Sequence, residues 1–153
     1  VFYVNKEFFV LVDEGIGSAA GSANLSFNLC RYESEVEYDA NEMGAHTTFT
    51  DNNIVVRTFT NETATFNEME GRVAYVVKND VFDKRKAYQI KINKLANKTA
   101  RFITVIYPCK KTEGQTIEAV FTDNGYSANG ASIKVTINGI EYPLSYILQS
   151  NNS

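Results

Sequence analysis

Hydrophobic residues in this chain alternate with polar ones at the two-residue period of β-strands over most of its length. The stretch 7–14 (EFFVLVDE) differs, because its apolar side chains would point to both faces of an extended strand. A strand that is apolar on both faces needs cover on both sides, so we predict a central strand there and not a solvated edge. The stretch 100–107 (ARFITVIY) has the same character, and Pro108 is predicted to end it.

A β-hairpin near the end of the chain is the clearest element in the pattern. Two alternating runs, 132–137 and 140–148, flank Asn138-Gly139, the pair that type I′ turns favour. The turn fixes the register and places three facing pairs on one face of the hairpin. These pairs are Ile133 with Leu144, Val135 with Tyr142, and Ile137 with Ile140. Another tight turn is predicted at residues 5–6, directly before the central strand.

Turn signals recur about every 8–12 residues along the rest of the chain, and no stretch has the period of an amphipathic helix. We therefore predict an all-β, two-layer antiparallel β-sandwich of about ten to twelve strands with no major helix. Because two strands are apolar on both faces, we expect a further part of the fold to cover one outer face of the stacked sheets. Residues 1–148 form a single domain in this interpretation, and 149–153 form a polar tail.

Length and composition add few constraints. A domain of 153 residues buries roughly 70% of its unfolded surface, so its core needs neither a metal nor a disulfide. No stretch is long enough to span a membrane, and the strand-like opening VFYV indicates a mature or truncated chain without a signal peptide. Cys30 and Cys109 are expected to be unpaired thiols, and a disulfide is the alternative if the fold brings them together.

The net charge of −3 hides an uneven distribution. Residues 1–70 hold 12 acidic and 3 basic residues, whereas residues 71–153 hold 6 acidic and 12 basic residues. Such segregation either marks a face for a charged partner or reflects two oppositely charged surfaces. Nucleic acid is not an expected partner, because the isoelectric point is near 5.2 and the chain has no RNA-stacking motif.

The basic run Lys84-Arg85-Lys86 is the strongest candidate for a substrate-binding site. Its ammonium and guanidinium groups would meet the sulfates or carboxylates of an acidic polysaccharide. A solvated basic face is the alternative interpretation. Four further cations follow the run and are grouped with it: Lys91, Lys94, Lys98 and Arg101.

Other polar residues give weaker signals. Carboxylates at every second position over 33–39 predict a strand with an acidic, solvated face; calcium is an alternative, but it needs oxygens that converge. The single histidine, His46, has no carboxylate at close spacing and is predicted to be a structural or surface residue. No serine or cysteine lies in a nucleophile motif, and the spacing of the two cysteines and the lack of histidine partners argue against a zinc site. We therefore predict no catalytic residue, no metal site and no cofactor, with bound calcium as the alternative.

Four stretches together resemble a known family: FFVLVDEGIGSAAGSANLSFNLC, HTTFTDNNIVVRTF, RFITVIYP and VTINGIEYPLSY. They are similar to the C-terminal β-sandwich of the heparinase II/III-like polysaccharide lyases, of the heparinase III (heparan sulfate lyase) type. The similarity spans nearly the whole chain. It rests on strand-packing patterns such as Val-Asp-Glu at the end of a buried strand, a Gly-rich loop and Asn-Leu-x-Phe-x-Leu.

The resemblance implies more than the residues show. Such enzymes join an N-terminal α/α toroid to a large β-sandwich and cleave acidic glycosaminoglycans by β-elimination. This chain has no toroid, and His46 lacks the family's aspartate context, so no catalytic residue is carried over. The resemblance implies the C-terminal portion of a bacterial, periplasmic or secreted heparin/heparan sulfate lyase, inactive alone and acting as a scaffold or cleft wall. The expected partners are the toroid of the same parent chain and an acidic polysaccharide, with no membrane.

Two other functions remain open from the sequence. One is a free-standing carbohydrate-binding module for acidic polysaccharide, which would present exposed tyrosines or a calcium site on one sheet face. The other is a structural or adhesion β-sandwich without affinity for sugar.

Overall fold

The structure, a computed structural model, describes residues 1–28, 35–69, 76–78, 81–83 and 87–148. These ranges contain fourteen β-strands and no α-helix, and so no helix that could cross a membrane. The strands are β1 (Phe2–Val4), β2 (Phe8–Gly15), β3 (Gly21–Asn28), β4 (Val36–Asp39), β5 (Gly44–Thr47), β6 (Asn53–Phe59), β7 (Ala64–Met69), β8 (Val76–Lys78), β9 (Val81–Asp83), β10 (Ala87–Lys94), β11 (Ala100–Cys109), β12 (Ile117–Phe121), β13 (Gly130–Ile137) and β14 (Ile140–Ile147).

The strands form a central sheet with two smaller sheets packed against it. The central sheet has six strands in the order β1-β2-β11-β6-β5-β4, and each neighbouring pair is antiparallel. The C-terminal sheet has the order β12-β13-β14, and the sheet β3-β10-β7 is called the aromatic sheet below. Strands β8 and β9 pair separately. Both β2 and β11 lie inside the central sheet, which confirms the prediction of interior strands for 7–14 and 100–107.

Both predicted tight turns have the expected backbone. Asn138 and Gly139 have φ angles of 50° and 81°, as a type I′ turn requires. Asn5 and Lys6 have φ angles of 49° and 62°, and they join β1 to β2 in the same way. The register between β13 and β14 is the predicted one, so this hairpin is confirmed residue by residue.

The prediction that Pro108 ends its strand was wrong. Strand β11 continues through Pro108 to Cys109, and Pro108 pairs with Ile54 of β6. The pairing of β11 with β2 has already stopped at Ile106. A proline has no N–H to give to a strand, and at this position only one neighbouring strand remains. The chain can therefore stay extended there.

The first hydrophobic core lies between the central sheet and the C-terminal sheet. Phe8, Val10 and Val105 of the central sheet are 0% exposed, and so is Val135 of the C-terminal sheet. These are alternate residues of each strand, as expected for the inner faces of two stacked sheets. This pair of sheets is the predicted two-layer β-sandwich.

The second core lies on the opposite face of the central sheet, under the aromatic sheet. Tyr88 of β10 lies at its centre, with ring centroids 5.2 Å from Phe27, 5.0 Å from Phe66 and 6.1 Å from Tyr38. The Tyr38 hydroxyl donates a hydrogen bond of 2.9 Å to the Ala87 carbonyl, which ties β4 to the aromatic sheet. The aromatic sheet is therefore the additional cover that the sequence predicted for one outer face.

Candidate functional site

The predicted substrate-binding residues Lys84, Arg85 and Lys86 lie outside the described residues, so that assignment stays a prediction. Two of the cations grouped with them are engaged in internal contacts. Lys94 Nζ donates hydrogen bonds of 2.7 Å to the carbonyls of Gly17 and Ala19, and it thereby holds the Gly-rich loop between β2 and β3. Arg101 is the other, because its side chain is only 4% exposed. The prediction that groups it with an anion-binding surface is therefore wrong.

Arg101 is the centre of an ionic network between the central sheet and the C-terminal sheet. Its side chain is 4% exposed, and its Nε donates to Glu14 Oε1 at 2.7 Å. Its two terminal nitrogens donate to the Asp123 carboxylate at 2.6 Å and 2.9 Å. The Tyr146 hydroxyl donates to the second Glu14 oxygen at 2.7 Å, and the guanidinium lies 3.7 Å from the Phe121 ring centroid. The network satisfies its buried charges and is structural.

The pKa values of three residues in this network, Asp123, Arg101 and Tyr146, are shifted. Hydrogen bonds from Arg101 lower the pKa of Asp123 to about 2, helped by the backbone N–H of Ser132. Hydrogen bonding to Asp123 raises the pKa of Arg101 further above its ordinary value. Burial, followed by the hydrogen bond to Glu14, raises the pKa of Tyr146 to about 12. At neutral pH, Arg101 and Asp123 are therefore held in their charged forms, and Tyr146 is held neutral as a donor.

His46 lies in an open polar cleft at the β4–β5 end of the central sheet. The register pairs His46 of β5 with Glu37 of β4, and His46 Nε2 lies 3.4 Å from Glu37 Oε2. The cleft has a volume of about 410 Å³. Its lining residues are Glu37, His46, Thr48, Phe49, Asn53, Lys111, Thr112 and Glu113. Sequence spacing alone missed this carboxylate partner, because the two residues meet only through strand pairing.

Asn53 fixes the floor of this cleft. Its Oδ1 accepts hydrogen bonds from Thr47 Oγ1 at 3.0 Å and from the Phe49 N–H at 2.7 Å. Its Nδ2 donates to the carbonyls of Phe49 at 2.9 Å and Lys110 at 3.0 Å. A buried amide that uses both ends in this way holds the β5–β6 turn and the β11–β12 connection together. The cleft wall is thus rigid on this side.

The chemistry of the cleft is limited to weak polar contacts. Glu37 is 69% exposed, so water screens its interaction with His46. The lining offers carboxylates, one lysine and hydroxyls for hydrogen bonding, and Phe49 as an apolar wall. Within the described ranges, no three His, Cys, Asp or Glu side chains are placed to hold a metal ion. We therefore keep the prediction that His46 is a surface residue.

Two other predicted features have partners in the structure. Of the acidic row predicted over 33–39, Glu33 lies outside the described residues, and β4 begins only at Val36. Glu37 meets His46, and Asp39 Oδ2 lies 3.4 Å from Arg57 Nη2, so the described part of this face is only partly a solvated acidic strand. Cys109 is a half-buried free thiol whose pKa is raised by burial. Cys30 lies outside the described residues, and the disulfide alternative remains untested.

The fold and these sites together define an all-β sandwich segment whose polar residues mainly serve its own packing. No family model matches the chain. The chain is 52% identical over 151 residues to a heparin-sulfate lyase of Bacteroides thetaiotaomicron, covering 97% of this chain and 21% of that protein. It is also 27% identical over 141 residues to a heparin-sulfate lyase of Pedobacter heparinus, again covering 21% of that protein.

Solved structures give the same result. The chain superposes on a crystal structure of heparinase III with a TM-score of 0.88 and 52% identity, over 95% of this chain and 22% of that one. For the Pedobacter heparinus heparan sulfate lyase HepC mutant, the TM-score is 0.81 at 25% identity, over 98% of this chain and 23% of that one. The resemblance to a segment of the heparinase III type is therefore confirmed. The chain spans about a fifth of the length of these relatives.

Proposed function

We propose that this chain is the C-terminal β-sandwich portion of an exported bacterial heparin/heparan sulfate lyase. Its role is that of a scaffold for the catalytic part, and it has no activity alone. The observation that carries this proposal is 52% identity across 97% of the chain with a protein named heparin-sulfate lyase, of which the match covers only 21%. The reacting groups would then come from the larger remaining part of the parent chain.

The proposal includes a partner and a location. The parent chain would contribute an N-terminal α/α toroid, and the sandwich would support it and form part of the cleft wall. An acidic polysaccharide would contact the basic run Lys84-Arg85-Lys86, whose charges suit sulfates and carboxylates. Heparan sulfate is a large, charged polymer that does not cross a membrane freely, so the enzyme would act in the periplasm or outside the cell.

The release of unsaturated uronate, followed by ultraviolet absorbance, tests the assignment of activity. We expect the full parent chain to release it from heparan sulfate and the isolated chain to release none. The variant His46→Ala of the parent should keep the wild-type rate, since His46 is not proposed to be catalytic. Uronate release by the isolated chain would show that the predicted inactivity is wrong.

Titration of the isolated chain with heparan sulfate separates a scaffold from a free-standing binding module. Binding that is lost in the variant Lys84→Ala/Arg85→Ala/Lys86→Ala would support the basic run as the contact surface. The variant Lys110→Ala/Lys111→Ala/Lys134→Ala removes three cations outside the run and serves as the matched control. Binding that is unchanged in the triple variant would remove the basic run from the proposal.

A further inference from the structure

An apolar patch lies on the face of the central sheet that the aromatic sheet covers only in part. Tyr3 is 58% exposed, Phe9 40% and Ile54 41%. The rings of Tyr3 and Phe9 stack with centroids 4.6 Å apart and planes at 13°. Side chains of this size on one sheet face are normally buried against another layer.

The patch is continuous with a buried row on the same face. Registered partners run across five strands: Tyr3, Phe9, Ile106, Val56 and Ala45. At the β5 end Ala45 is 1% exposed and Val56 is 8% exposed, and Ala45 packs in the second core. At the β1 end Phe9 and Tyr3 are exposed. The cover over this face therefore stops partway along the row.

Strand β3 is the edge of the aromatic sheet that lies over β2, the strand that carries Phe9. The Cβ of Ala23 in β3 lies 3.6 Å from the place where a Cβ on Gly15, the last residue of β2, would stand. The opposite edge strand, β7, lies on the other side, since its Ala64 lines a cavity with Thr58 and Phe59 of β6. In the described sheet β3 pairs only with β10. Since β7 lies over β6, the second backbone edge of β3 is the one on the side of β2 and β1, the strands that carry Phe9 and Tyr3.

Side chains are less buried at both edge strands of the aromatic sheet than in its middle strand β10, so burial marks β3 as an edge but does not by itself distinguish it from β7. The inward residues of β10, Tyr88 and Ile90, are both 0% exposed. The inward residues of β3, Leu25 and Phe27, are only half-buried, although they belong to the same core. An unpaired edge beside an apolar surface is the arrangement that accepts an added strand.

We propose that a further β-strand of the parent chain pairs with the free edge of β3 and buries the patch of Tyr3, Phe9 and Ile54. This inference rests on the proposed function, in which the present chain is one part of a longer lyase. The relatives hold the necessary residues, because the chain covers only 21–22% of their length. The added strand would carry apolar residues at alternate positions, and these would face Phe9.

Hydrogen–deuterium exchange of the parent chain and of the isolated chain tests the pairing. In the isolated chain, the β3 amides that do not bond to β10 should exchange as open amides. In the parent chain, the same amides should be protected by at least about tenfold, whereas β14 should exchange alike in both. Equal exchange of β3 in the two proteins would overturn the proposal.

A substitution tests the patch itself. In the parent, Phe9→Ser should make limited proteolysis release the sandwich about tenfold faster, because the added strand loses the aromatic side chain that it would bury. The same substitution should destabilise the isolated chain less than the parent, because Phe9 keeps only its contact with Tyr3 and the partial cover seen here. Val120→Ser is the matched control, since Val120 is 51% exposed and lies on the outer side of the C-terminal sheet. An equal effect of Phe9→Ser in both proteins, or no effect in the parent, would contradict the proposal.

These measurements separate the inference from the proposed function. A parent chain that protects β3 but releases no unsaturated uronate would support strand addition and remove the assigned activity. A parent chain that releases unsaturated uronate but leaves the β3 amides unprotected would support the assigned activity and overturn strand addition. Sedimentation of the isolated chain covers the remaining possibility: a dimer in which β3 is already protected would replace the parent strand with a second copy and overturn the proposal.

Discussion

The central sheet is joined to its two cover sheets by different chemistry. Toward the C-terminal sheet, the contact is closed by the ionic network of Arg101, Glu14, Asp123 and Tyr146. Toward the aromatic sheet, it is closed by the ring of Tyr38 in β4, which packs edge-on against Phe66 and Tyr88 with centroids 5.9 Å and 6.1 Å apart. The Tyr88 hydroxyl finds no hydrogen-bond partner among the described residues. The interface with the C-terminal sheet depends on charge and on the direction of its hydrogen bonds. The interface with the aromatic sheet depends mainly on the apolar surface that it removes from water.

The difference has consequences for stability and specificity. A buried ion pair holds two sheets in one relative position, because its hydrogen bonds fail when either partner moves. Ring packing tolerates small shifts and contributes through the area removed from water. We therefore expect the first interface to respond to pH and to removal of a single charge. The second should respond to changes in shape and in unsatisfied polar atoms.

The largest effect is expected from Arg101→Met. This change leaves Glu14 and Asp123 as carboxylates without their cation, which costs about 3–5 kcal/mol when the pair is buried. Urea unfolding of the isolated chain would measure it. Lys134→Met removes an exposed cation paired with Glu141 at 2.8 Å and should change stability by less than about 1 kcal/mol. Equal losses in the two variants would show that the Arg101 network does not stabilise the interface.

Acid should weaken the same interface by an intermediate amount. The pKa of Asp123 is about 2 in the folded chain, below its ordinary value of 3.8. Its contribution is therefore present above pH 3.8 and is lost as the pH falls to about 2, which corresponds to about 2 kcal/mol. The stability gap between wild type and Asp123→Asn should narrow by that amount over this range. A gap that stays constant with pH would contradict the assigned role.

The smallest effects are expected at the aromatic interface, and they should have opposite signs. Tyr88→Phe removes a buried hydroxyl that has no hydrogen-bond partner in the described part of the chain, and it should stabilise the chain by about 1 kcal/mol. Tyr38→Phe removes a hydroxyl that donates to the Ala87 carbonyl and should destabilise it by about 1 kcal/mol. Thermal unfolding of the two variants side by side would detect this difference. Loss of stability in both would mean that the Tyr88 hydroxyl has a partner.

Local patterns gave reliable predictions wherever neighbouring residues determined the structure. The Asn138-Gly139 turn and its register follow from the φ > 0 requirement of the turn and the alternation of the flanking strands. The interior position of 7–14 follows from apolar side chains on both faces. Pro108 shows the limit of such rules, because its effect depends on which neighbouring strands are present.

Residues that meet across the fold were not found from spacing. Arg101 and Asp123 are 22 positions apart, and Arg101 and Glu14 are 87 apart. A surface lysine and a buried arginine look alike in a charge count, so Arg101 was grouped with exposed cations. The partner of His46 was missed for the same reason, since Glu37 reaches it only after β4 pairs with β5.

The sequence by itself determined the all-β class, the interior strands, the C-terminal hairpin and the resemblance to a lyase segment, because these depend on residues close together in the chain. The tertiary structure alone decided which charges are buried, which faces of the central sheet are covered and which of the described strands lie at a sheet edge. Those properties depend on how distant strands pack. Arg101 stabilises the interface because it is buried in a low-dielectric interior, and that interior forms only when the distant strands have packed.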